Sequence, residues 1–249
     1  MMEPRDLLVT ALVFIAALLY SSVGHAGASG YLAAMALASL PHSEMRPTAL
    51  ALNVLVAVIA TYRYCSVGAF SHRLFWPLCV SSIPLAYLGG TITLPGYVYK
   101  PLIGSVLLYA AWKSFRTAAS AGSVEIRPVS APLLVVVGAV LGLLSGLSGV
   151  GGGIFLSPIL ILFRWGNAKE ASGVAAAFIL VNSIAGLLGV FSTAQTLPSA
   201  FPIWAVAAML GGFIGAEYGS RRLGNPSIQR LLSLVLLVAG MKMLATAGS

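Results

Sequence analysis

The chain has 249 residues, 59% of them hydrophobic and only 8% charged, with 14 Lys and Arg against 6 Asp and Glu and a formal net charge of +8. A soluble domain carries roughly 25% charged residues, so this composition excludes a soluble enzyme or binding module and implies a multi-pass membrane protein. The basic excess does not point to nucleic acid: no basic cluster is longer than Arg221-Arg222, and in a membrane chain Lys and Arg mostly report orientation.

The N-terminal Met1-Met-Glu-Pro-Arg-Asp6 is not positively charged, so the apolar run behind it reads as a mature membrane segment and not as a cleaved leader. That run, 7–42, is too long for one helix. It is interrupted by Ser21-Ser-Val-Gly-His-Ala-Gly-Ala-Ser-Gly-Tyr-Leu32. Three runs of spanning length follow, 47–64, 74–94 and 98–115, then a linker at 117–131. A second long run, 132–164, contains Gly142-Leu-Leu-Ser-Gly-Leu-Ser-Gly-Val-Gly-Gly-Gly-Ile-Phe-Leu-Ser-Pro158. Three further spans are expected at 168–191, 200–220 and 226–246, since a span needs about 20 residues. Glycine clusters break helices, because glycine loses the most backbone entropy on ordering.

The two halves echo one another. Val106-Leu-Leu-Tyr-Ala-Ala-Trp-Lys113 and Val235-Leu-Leu-Val-Ala-Gly-Met-Lys242 share five of eight residues, and Trp76 and Trp204 fall at nearly the same offset. We therefore expect an all-α polytopic protein of two inverted repeats, 1–116 and 132–249, each a glycine-broken, re-entrant-type hairpin (7–42 and 132–164) followed by three transmembrane helices. Charge sorting selects the hairpins. If each long run crossed once, the basic residues would divide seven against seven. If each returns to its starting side, Arg63, Arg73, Lys113, Arg116, Arg127, Arg164, Lys169, Arg221, Arg222 and Arg230 share one side. Arg5, Arg46, Lys100 and Lys242 share the other. Ten against four satisfies the positive-inside rule and puts both termini outside the cytoplasm.

Unwound backbone in hydrocarbon is tolerated only where protein or a water-filled cavity satisfies it. Two such breaks in matching places point to a transporter site at the bilayer midplane. Facing hairpin tips would aim free N–H groups and helix N-termini at one point, which suits a small anion. The candidate residues are Gly27, Ser29 and Gly30 in the first tip, and Ser145, Ser148, Gly149, Gly151 and Gly152 in the second. His25 could bind the anion or carry a proton. Asn53 and Asn182 should face the interior, because amides are costly in lipid unless partnered. Glu217 reads as the partner of Arg221, one helical turn away. His42, Glu44 and Arg46 read as a solvated loop cluster, which leaves the site without a deep cation. Cys65 and Cys79 lie in different elements with no metal-binding spacing and read as packing residues. No cofactor is implied.

Leu147-Ser-Gly-Val-Gly-Gly-Gly-Ile-Phe-Leu-Ser-Pro158, Lys169-Glu-Ala-Ser-Gly-Val-Ala-Ala-Ala177 and Asn182-Ser183, with Gly27-Ala-Ser-Gly-Tyr-Leu32 and Arg46-Pro-Thr-Ala-Leu50 in the first half, resemble the sulfite exporter family of the TauE/SafE type. The resemblance implies movement of sulfite, sulfonates and related sulfur-containing anions or organic acids. The expected function is secondary transport of a small anion across a bacterial plasma membrane, with the lipid bilayer as environment and no nucleic acid as partner. Coupled protons or ions and a homo-oligomer remain open. Two alternatives are weighed beside it. Gly146-Leu-Ser148-Gly149 matches the GxSG pattern of intramembrane serine proteases, with His25 as the base, and a membrane-complex assembly factor would also fit the composition.

Overall fold

The computed structural model describes residues 4–117, 126–193 and 196–221, together with Leu237, Gly240, Met241, Leu244 and Ala245. The expected span 226–246 lies almost wholly outside the described residues. Those described form α1 (Pro4–Ser21), α2 (Ala28–Leu37), α3 (His42–Ser66), α4 (His72–Thr91), α5 (Gly96–Thr117), α6 (Ala131–Ser148), α7 (Gly153–Leu162), α8 (Ala168–Phe191) and α9 (Phe201–Arg221), with no strand among them. Five segments, Ser43–Ser66, His72–Thr91, Ala131–Ser148, Lys169–Phe191 and Phe201–Arg221, are long and apolar enough to cross a bilayer. Large apolar side chains such as Val80, Val136, Leu188 and Leu210 are exposed, whereas Asn53, Asn182, Ser145 and Ser183 are fully buried. Such an inside-out distribution belongs in lipid.

Both long apolar runs break where glycine falls. Gly149 ends α6 in the left-handed region (φ 78°), its N–H bonded to Ser145 O at 2.9 Å, and Gly152 (φ 75°) precedes α7. Side chains with a Cβ rarely adopt this conformation, so the breaks need glycine. The returning legs α2 and α7 have 10 residues each, or ~15 Å, about half the thickness of a hydrocarbon core.

The loop expected around 42–46 is helical instead. Helix α3 starts at His42, with Glu44 in its first turn and Pro47 inside it. The acidic residue suits the positive end of the helix dipole, and proline near a helix start costs little. The correction matters because it carries Arg46 off the surface: its side chain is 3% exposed.

Close backbone contacts fix the helix directions. Gly138, Gly142 and Gly146 of α6 press on Leu78, Ser82 and Ala86 of α4, so α4 and α6 run the same way. Gly211 and Gly215 of α9 press on Phe14 and Leu18 of α1, and Gly219 on Ser22 just past its end, so these two also run the same way. Both glycine sets are spaced by four, the small-residue pattern that lets membrane helices approach closely. Helix α3 runs against α8, with Asn53 beside Ser183 and Ala60 beside Ala176. It runs with α9, to which Arg63 is tied through Glu217 at 2.9 Å. Glu217 also takes Arg221 at 2.6 Å, the one-turn pair expected from their spacing. Cys79 is buried beside Leu78 and Phe75, whereas Cys65 near the end of α3 is exposed.

Candidate functional site

The two tips lie toward opposite ends of α3. The first, 22–27, sits beside Tyr64, whose hydroxyl donates to Ser22 O at 3.1 Å, and beside Ser172 near the start of α8, whose hydroxyl donates to Val23 O at 3.1 Å. The second, 149–152, extends from Arg46 to Asn53. A Cβ at Gly149 would stand 3.1 Å from Arg46 Cγ, and one at Gly151 would stand 2.7 Å from Asn53 Nδ2 and 3.0 Å from Ser183 Oγ. Asn53 is the twelfth of 25 residues in α3, so Gly151 rests at that helix's middle.

The tips overlap through one side chain. His25 Nε2 lies 3.2 Å from Gly153 O and 3.2 Å from Ser157 Oγ. A carbonyl only accepts, so the contact with Gly153 puts the proton on Nε2. His25 precedes the first residue of α2 by three positions, and Gly153 is the first residue of α7. The two half-length helices therefore begin within one side chain's reach of each other and run apart, α2 toward the start of α3 and α7 toward the start of α8. Their N-terminal ends bring free N–H groups and partial positive charge to the same region.

Polar atoms around the second tip lack protein partners. Asn53 Nδ2 donates to Val150 O and to Ser183 Oγ, each at 3.3 Å. Asn182 Nδ2 donates to Phe178 O at 2.8 Å. Yet Asn53 Oδ1, Asn182 Oδ1, Ser145 Oγ, Thr48 Oγ1 and Arg46 Nε are buried with no hydrogen-bond partner. Such a group costs about 1–3 kcal/mol if left unmade, and a polar ligand or water at the tip would satisfy those of Asn53 and Ser145.

The sequence candidates divide accordingly. His25 reaches Gly153 at the meeting of the short helices, and Asn53, Ser145, Gly151 and Gly152 lie at the second tip, whereas Asn182 bonds within its own helix. Gly149 instead accommodates Arg46. Ser148 is turned onto backbone, donating to Leu144 O at 2.6 Å and accepting from Val150 N–H at 3.3 Å. This local bonding leaves its hydroxyl proton on a carbonyl, which is not the arrangement of a nucleophile served by His25. Gly27 (φ 115°) precedes α2 with the Tyr31 ring against it, and Gly30 packs on Ala16 and Tyr20. Ser29 is buried in the first turn of α2.

Three residues were missed. Ser157 and Ser183 stand inside the motifs Leu147–Pro158 and Asn182-Ser183 but are not singled out there as site residues. Arg46 is not the solvated loop residue expected: it is buried in the first turns of α3. Its guanidinium donates to Gly89 O and Ile92 O, each at 2.7 Å, and to Gly90 O, capping the C-terminal end of α4 beneath the second tip. Free C-terminal carbonyls and the negative end of a helix dipole are what bring a buried arginine there.

The family model described as "Sulfite exporter TauE/SafE" matches residues 9–243. The chain belongs to the TauE/SafE family. A TauE/SafE-type chain with these helices is a multi-pass membrane transporter. It is 40% identical over 234 residues to "Probable membrane transporter protein y4hK" of Sinorhizobium fredii, covering 93% of this chain and 95% of that one. It is 24% identical over 206 residues to "Probable membrane transporter protein MJ0441" of Methanocaldococcus jannaschii, covering 76% and 74%. No solved structure matches.

Proposed function

We propose that this TauE/SafE chain is a secondary transporter of a small anion across a bacterial plasma membrane, and that sulfite or a short sulfonate is its substrate. The observation that carries the proposal is the meeting of α2 and α7 through His25 and Gly153, which supplies two helix N-termini to one interior point. Substrate oxygens would take backbone N–H groups at Gly151 and Gly152 and hydroxyls at Ser145, Ser157 and Ser183. Arg46 would add one fixed positive charge from beneath the tip. One cation and partial dipole charges suit a mono- or dianion better than a polyvalent one, whose lost hydration they would not replace.

We read the two halves as inverted repeats, 1–116 and 132–249. The packing of α1 on α9 is matched by that of α6 on α4, and α3 meets α8 at the centre, each pair exchanging halves. Gly24 and Gly149, and Gly27 and Gly152, all take positive φ, each pair 125 positions apart. In support of termini outside the cytoplasm, Arg63, Arg73, Arg164, Lys169 and Arg221 gather at one end of the bundle, and Arg5, Arg46 and Lys100 lie toward the other. Alternating access would exchange which hairpin seals the meeting point.

Flux of radiolabelled sulfite, alkanesulfonates, carboxylates and phosphate into proteoliposomes tests the reading. Saturable sulfite or sulfonate flux exceeding that of phosphate is expected. Flux of a cation alone, or none for any small anion with a folded protein, would overturn it.

A further inference from the structure

A second polar region lies away from the hairpin meeting point, at the end of the bundle where α4, α6 and α8 begin. A cavity of about 260 Å³ is lined there by Ser71, Arg73, Arg127, Trp165 and Glu170, with Leu74 and 126–129 completing the wall. Arg127 is held in place by its backbone N–H, which donates to Arg164 O at 2.7 Å and ties the segment before α6 to the turn after α7. Neither Arg73 nor Arg127 forms an ion pair among the described residues. Glu170, the only acid among the described lining residues, is turned onto the backbone: its Oε2 accepts from Asn167 N–H at 3.1 Å in the capping box of α8. The described lining therefore sets two guanidinium groups against one carboxylate, and three parallel helices point their positive ends toward it. Trp165 stacks on exposed Phe163 with ring centroids 5.3 Å apart, and the amphipathic indole is a ring that settles at a membrane–water boundary.

We propose that this cavity binds a phosphate anion, with the headgroup of an anionic phospholipid as the source its location favours. Two guanidinium forks clasp phosphate oxygens bidentately. A volume of 260 Å³ exceeds that of a single water, about 30 Å³, several-fold, leaving room for a phosphodiester and part of its glycerol. Basic pockets between helices on the positively charged side of a membrane protein recognise such headgroups.

The test uses the full chain purified in detergent and reads bound lipid by native mass spectrometry and affinity by titration. The probes are phosphatidylglycerol, phosphatidylcholine of the same acyl chains, and inorganic phosphate. Arg73→Gln with Arg127→Gln should weaken phosphatidylglycerol binding at least tenfold, while phosphatidylcholine binds weakly to both forms. If inorganic phosphate binds and is lost in the same double variant, the site stands and free phosphate is its source. Lys169→Gln removes a neighbouring charge outside the cavity and should leave binding unchanged. An equal loss in Lys169→Gln would show diffuse attraction and overturn the proposal, as would undiminished binding in the double variant or no binding of any probe.

Discussion

The two hairpins use one backbone device for two different chemistries. Each turns through glycines at positive φ and returns as a 10-residue helix. The first tip carries its own titratable side chain, His25, and is latched by hydroxyls of Tyr64 and Ser172. The second carries no titratable side chain. It is all glycine and valine, and Arg46 and Asn53 of α3 approach it closely. A bare tip brings backbone N–H groups close to a ligand, whereas a decorated tip supplies a group that can change charge. The division assigns space and dipole to the second hairpin and the responsive side chain to the first.

The largest expected effect falls on the bare tip. Gly151→Ala places a Cβ 2.7 Å from Asn53 Nδ2 at φ 79°, strained both in space and in backbone. Sulfite flux in proteoliposomes should fall at least tenfold, and Gly151→Leu should abolish it. Near-normal flux in either would remove the second tip from the site.

Arg46 comes next. Arg46→Met strips the carbonyls of Gly89, Gly90 and Ile92, at and just past the end of α4, of their donor. Each hydrogen bond to a charged group is worth about 1.5–3 kcal/mol, so the melting temperature should fall by several degrees and anion affinity with it. Arg46→Lys should restore the charge without the fork and recover affinity only in part. Unchanged affinity in a destabilised Arg46→Met would leave Arg46 a helix cap alone.

His25→Ala should lower flux moderately and flatten its pH dependence between about pH 5 and 8, where an unperturbed histidine titrates. No change in the pH profile would make the first tip as inert as the second and dissolve the contrast.

The smallest effects separate two neighbouring serines. Ser145 Oγ is unpartnered whereas Ser148 Oγ holds backbone. Ser145→Ala should weaken sulfite binding by about 1 kcal/mol with little change in stability, and Ser148→Ala should do the reverse. Binding and thermal melts on both variants distinguish them. Equal behaviour would mean that Ser145 does not line the site.

The glycine breaks and the all-helical, multi-span character were legible because glycine clusters and apolar run length act locally. Asn53 and Asn182 were legible as interior residues because an amide in lipid demands a partner. Arg46 was not. It lies beside Pro47 with His42 and Glu44 nearby, a composition that reads as a loop, and its partners are carbonyls more than 40 positions away. Contact of His25 with Ser157, 132 positions apart, was likewise invisible, since pairings across halves leave no local pattern.

The most direct test of an anion site between α2 and α7 is the thermal stability of the purified protein titrated with sulfite or ethanesulfonate, compared between the native chain and Gly151→Ala. A ligand that binds only the folded state stabilises it by about 2.7 kcal/mol at a hundred times its Kd. The native chain should gain a saturable upward shift in melting temperature that Gly151→Ala loses, whereas any shift from phosphate held at Arg73 and Arg127 should persist in Gly151→Ala. An equal shift with sulfite or ethanesulfonate in both proteins, or stabilisation by cations with none by any small anion, would contradict the account.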